Sequence, residues 1–163
     1  MRRVVFFLSI VVLVGSFACT DDEPEILAEQ ALSDFGPYTF VESEAEAESN
    51  LVEYMESVTP TGAHIVRVVV RSVRSESSEV SVEAVAATFH LADLETGPFQ
   101  AKIEKRLAPG AREVLEGRGR LVDLEGTAAL VAFLDDTTLI YLVGRHAADL
   151  ETIATGLLDP NDS

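Results

Sequence analysis

The chain has 163 residues, with 28 acidic and 12 basic side chains, a formal net charge of −16 and one cysteine. So acidic a balance opposes binding to nucleic acid or to bare anionic lipid, because like charges repel over the whole surface. One cysteine cannot form an internal disulfide, so the fold must be held by its core alone.

Residues 1–18 read MRRVVFFLSIVVLVGSFA: Arg2 and Arg3, an apolar run from Val4 to Gly15, then small residues. This is the three-part layout of a secretory signal. Val4 to Ala18 is 15 residues, short of the about 20 that a membrane-crossing helix needs, so a removed signal peptide is favoured over a retained helix. Directly behind it stands Cys19, followed by TDDEPE.

With its cysteine in that place, the segment resembles the bacterial lipoprotein precursors, in which a signal peptide ends in a lipobox and the cysteine after the cut is acylated. The resemblance implies cleavage between Ala18 and Cys19, and lipid attachment at Cys19. It also implies export, with the protein held at the cell membrane or outer membrane. Two or more acyl chains hold firmly where a single chain gives marginal affinity. The family prefers an aliphatic residue three before the cysteine, a small or β-branched one two before, and Ala, Gly or Ser directly before. Of Ser16, Phe17 and Ala18 only the last fits. Ser16 and Ala18 also satisfy the small-x-small rule of ordinary secretory cleavage, which leaves open a secreted soluble protein with a bare thiol. In a two-membrane host, Thr20 after the cysteine disfavours inner-membrane retention under the family's sorting habits.

Removing 18 of the 163 residues leaves 145, the size of one domain with a real core. Residues 19–36 read as an acidic tether, 37–158 as a single α+β domain and 159–163 as a tail. Charge is uneven along this chain: Cys19 to Ala63 holds twelve carboxylates and no lysine or arginine, whereas Lys102, Lys105, Arg106, Arg112, Arg118 and Arg120 fall within 19 residues. Such runs read as solvated faces. The sharper reading is a basic surface, contacting through Lys102, Lys105, Arg106, Arg118 and Arg120, that docks the acidic N-terminal part or an anionic partner.

In chain order, PEILAEQALSDFG is a short helix or part of the tether, stopped by Gly36-Pro37. YTFVE predicts a short strand. SEAEAESNLVEYMESV predicts a helix with Leu51, Met55 and Val58 as its stripe and carboxylates at its N-terminal end, where the helix dipole favours them. HIVRVVVRSVR and VSVEAVAATF are β-branched or alternating and form an antiparallel hairpin around SESSE. PFQAKIEKRL predicts a helix with Phe99, Ile103 and Leu107 inward. GRLVDLEG is a strand, and TAALVAFL and TTLIYLVG are a hairpin of central strands turning at Asp135-Asp136. RHAADLETIATGLL closes with the stripe Leu150, Ile153, Ala154, Leu157 and Leu158, a helix that packs on the sheet.

The fold these elements predict is two-layer α+β, an antiparallel sheet with helices packed on one face. Thr39-Phe40 and Thr88-Phe89 are each followed by 19 residues and a proline. A duplicated strand-helix-strand unit explains this echo, giving residues 38–124 a ferredoxin-like β-α-β-β-α-β order, followed by a hairpin and a helix.

Chemistry is sparse. No G-x-S-x-G elbow occurs in the mature chain, and the sole thiol lies at its terminus. His64, His90 and His146 are separate in sequence, and His90 with Asp93 is a weak pair, so no metal site is expected. DDEPE and DPNDS lack the ligand spacing of an EF-hand loop. The GRGR of Gly117 to Arg120 lacks the third glycine and the helix start of a dinucleotide fingerprint. These features favour a non-enzymatic, lipid-anchored binding or scaffold module of the cell envelope. Its partners would be the membrane, through the anchor, and an envelope protein; no cofactor or nucleic acid is expected. The alternatives are a carrier of an apolar ligand between sheet and helices, and a hydrolase with a dispersed carboxylate site.

Overall fold

The structure, a computed structural model of the chain, describes residues 28–76 and 80–159. The expected signal segment and cleavage site, and Cys19, lie outside the described residues. The elements are α1 (Ala28–Ala31), β1 (Tyr38–Glu42), α2 (Ala45–Val58), β2 (Ala63–Ser75), β3 (Val82–Leu91), α3 (Thr96–Leu107), β4 (Arg112–Val114), β5 (Gly119–Leu124), β6 (Thr127–Phe133), β7 (Thr138–Gly144) and α4 (Ala147–Leu158). The seven strands form one sheet in the order β1-β2-β3-β7-β6-β5-β4, with every neighbouring pair antiparallel.

The α+β class and the antiparallel sheet are as the sequence predicts. α2 and α3 lie on one face with Met55, Val58, Phe99, Ile103 and Leu107 buried against Val70, Val85, Val131, Leu139 and Tyr141. α4 and α1 lie on the other face, with Leu150, Ile153, Ala28 and Leu32 buried against Val73, Val82, Leu130, Ile140 and Leu142. Helices therefore cover both faces and not one. The physical reason is in the central strands: β3 sends Val82, Ala84 and Ala86 to one side and Val85, Ala87 and Phe89 to the other, and a strand apolar on both sides needs cover on both.

The element order β-α-β-β-α-β is present, but the pairing is not ferredoxin-like. A split β-α-β unit runs the two strands joined by its helix parallel to each other, with a third, antiparallel strand inserted between them. Here β1 is antiparallel to its neighbour β2, and the chain passes through α3 from the third strand position to the opposite edge at β4.

The domain also begins before residue 37. Ala28, Ala31 and Leu32 are buried on the sheet, and the Phe35 ring lies 5.3 Å from Tyr38 and 6.1 Å from Phe40. Asp34 Oδ1 accepts the Phe40 N–H at 2.8 Å, which occupies part of the otherwise open β1 edge. Residues 28–36 are thus core and edge guard, not tether. A helix of four residues is too short to show an apolar stripe in sequence.

Candidate interaction surface

Strand register lets the cover on each face be followed row by row. On the α2/α3 face, Val70, Val85, Tyr141 and Val131 form one row across β2, β3, β7 and β6; they are 1%, 0%, 6% and 0% exposed. Two residues on, towards the β2–β3 turn, the next row on that face is Val41, Ser72, Glu83, Val143, Ala129 and Val122, one from each of six adjacent strands. All six are half-buried. Beyond them Arg74 and Thr127 are exposed, and Leu124 is 64% exposed. At the same level on the opposite face Val73, Val82 and Ala128 remain buried beside α4. The helical layer of α2 and α3 therefore stops short of one end of the sheet, and leaves a shelf with an apolar half on β5, β6 and β7.

The polar half of the shelf is a built network. Ser43 Oγ donates to Glu83 Oε2 at 2.6 Å and Ser72 Oγ donates to Glu83 Oε1 at 2.7 Å, with the two hydroxyl oxygens 3.4 Å apart. Ser43 stands just before α2, and Glu44 at its N-cap and Glu46 and Glu48 in its first turn are exposed. Sequence reasoning missed this group, because Ser43 lies between β1 and α2, Ser72 on β2 and Glu83 on β3, and the three share no motif.

The bases singled out from sequence do not all share one surface: Lys105 and Arg120 line one concavity, whereas Arg112 and Arg118 reach Glu151 and Asp159. Arg106 Nη1 donates to the Val58 carbonyl at 2.9 Å, which satisfies an orphan group at the end of α2. Arg112 pairs with Glu151 of α4 at 2.7 Å. Arg118 forms two hydrogen bonds to Asp159, at 3.0 and 2.5 Å, and these hold the Asp159 carboxyl below the usual carboxylate range. Arg120 lies 2.6 Å from Glu113 and 3.3 Å from Glu104. These arginines cross-link neighbouring elements, and their carboxylates all lie C-terminal to the acidic stretch. Lys102 and Lys105 stand exposed on α3, without a carboxylate partner among the described residues. From the acidic N-terminal part, Glu29 reaches Arg67 of β2 at 2.5 Å.

The histidines are less separate than in sequence, since His64 and His90 face each other across β2 and β3. Among the described residues no group of three or more metal-ligating side chains converges. On the α2/α3 face, burial pushes the Tyr141 phenol up, with the neighbouring Tyr54 adding to the shift.

Among the described residues several concavities open at the surface. One of about 650 Å³ brings Arg112, Asp123, Arg145, His146 and Glu151 together at the start of α4. One of about 540 Å³ lies between the Phe35–Tyr38 turn and the end of α4, around Gly156. Smaller ones lie beside Glu104, Lys105 and Arg120, and along Glu48, Val52 and Glu56 of α2. Set against protein-family models, curated proteins and solved structures, the chain matches none.

Proposed function

We propose that this protein is an exported binding module of the cell envelope, held at a membrane through acylated Cys19 and recognising a partner protein through the open end of its sheet. The recognition part is supported by one observation: the shelf from Val41 to Val122, where one face loses its helical cover while the other keeps it. A half-exposed apolar row rimmed by polar groups is a common form of protein-contact surface. The anchoring part rests on the signal segment and Cys19; no helix among the described residues is long and apolar enough to cross a membrane.

The test is the intact mass of the protein from its native membranes, together with fractionation of Cys19→Ser. The expected mass begins at Cys19 and carries diacylglycerol and a fatty acid. The variant is expected in the soluble fraction with an unchanged melting temperature. An unmodified Cys19 overturns the anchor, and a variant still in the membrane points to a retained N-terminal helix.

A second reading, carboxylate-based hydrolysis, is favoured by the cleft at the start of α4, whose lining includes Asp123, Glu151 and His146. General acid–base work needs an acid and a base facing one cleft. It requires turnover of simple ester, phosphate or glycoside substrates that disappears in both Asp123→Asn and Glu151→Gln; no turnover by the unsubstituted protein sinks it.

A further inference from the structure

We propose that the occupant of the open sheet end is a basic, extended segment of the partner, with an arginine or lysine side chain seated on Glu83, Ser43 and Ser72. This inference rests on the binding-module reading and adds the chemistry of what is bound.

The first argument is hydrogen-bond polarity. Each serine hydroxyl has one proton, and both protons go to the Glu83 carboxylate. What remains directed elsewhere is a set of lone pairs on four oxygens, which accept and do not donate. Such a set is complementary to a guanidinium or ammonium group, whose N–H groups only donate, and charge-assisted bonds of this kind are among the stronger ones.

The second argument is charge. Glu44, Glu46 and Glu48 are exposed on the first turns of α2, next to Ser43. They outweigh the partial positive charge of the helix N-terminus, roughly half an elementary charge. Arg74 is the cation on the adjoining row, and the whole chain carries −16. A cationic segment is attracted to this end, and an anionic one is repelled.

The third argument is spacing. From Glu83, the steps to Val143, Ala129 and Val122 cross three strand gaps, about 14 Å at roughly 4.8 Å each. An extended chain covers about 13 Å in four residues. A base followed by apolar residues two and four positions later therefore places its charge on Glu83 and its apolar side chains, about 7 and 13 Å away, nearest Val143 and Val122.

The experiment uses the full mature protein in detergent and two fluorescein-labelled, amidated probes, Arg-Ser-Val-Ser-Val and Glu-Ser-Val-Ser-Val, followed by anisotropy. The arginine probe is expected to bind at least tenfold more tightly than the glutamate probe. Glu83→Gln is expected to weaken it about tenfold, and Ala129→Arg, a change on the half-exposed row, to abolish it. Glu53→Gln, farther along α2, is expected to change it less than twofold. Thermal melts establish that each variant folds; should Glu83→Gln fail to fold, Ala129→Arg carries the test. Binding that survives both shelf variants is diffuse attraction to an acidic surface and overturns the site. Preference for the glutamate probe overturns the basic occupant while leaving a binding module in place, and binding of neither probe overturns the inference. The Cys19 mass is unaffected by any of these outcomes, so failure here is distinct from failure of the anchor.

Discussion

At Asp159 the pairing with Arg118 sets the direction of a pH effect. The two hydrogen bonds favour the carboxylate, so the carboxyl sits below its ordinary value in the folded chain. A depressed value means the contribution to stability is present above the unfolded value, about 3.9, and is lost as pH falls through the folded one. Both groups are well exposed, and exposed pairs contribute little. A carboxyl-carbon NMR titration of Asp159 is expected to move up towards the ordinary value in Arg118→Gln; an unchanged midpoint would dismiss the pairing. Nearby, Leu115 and Glu116 adopt left-handed conformations, with φ of 54° and 57°, in the tight turn between β4 and β5. Glycine carries no Cβ penalty there, so Glu116→Gly is expected to stabilise by up to about 1 kcal/mol in a urea melt. A loss instead would mean that the Glu116 charge beside Arg118 outweighs the backbone strain.

Among the elements, α4 was legible to its register. Its stripe follows a 3.6-residue period, and Leu150, Ile153 and Ala154 are buried where that period places them. Leu157 and Leu158, at the end of the helix, are half-buried. Ile153→Ala is therefore expected to cost about 2 to 5 kcal/mol and Leu157→Ala distinctly less, read from denaturant midpoints; equal losses would put the C-terminal turn as deep as the middle. The N-terminal segment was not legible, because α1 offers one turn and no repeat. Its small side chains lie flat on β2 and β3, and Leu32 is buried beside them. Deleting residues 28–36, or Leu32→Ala alone at about 2 to 4 kcal/mol, is expected to destabilise the domain. A deletion that melts with the parent would return this segment to the tether.

Over the whole molecule, net charge and ion pairing compete. The chain carries −16, and among the described residues the ion pairs join neighbouring elements at mostly exposed positions. Self-repulsion is long-ranged and screened by salt, with a Debye length of about 10 Å at 0.1 M. The melting temperature is therefore expected to rise by a few degrees between low and half-molar sodium chloride. A fall would show that the pairs, Arg120 with Glu104 and Glu113 foremost, contribute more than the repulsion costs.

The sequence by itself determined the α+β class and the identity of nearly every long element, because strand alternation and helix periodicity are local patterns. Which face each helix covers was decided only by tertiary structure. β3 and β7 are apolar on both sides, and a run apolar on both sides does not record which helix lies on which. The strand order was likewise open, since pairing joins β3 to β7 across some fifty residues. The shelf follows from that order. Val41, Ser72, Glu83, Val143, Ala129 and Val122 come from six strands and become one surface when the register is set, at the end of the sheet where α2 and α3 leave one face open.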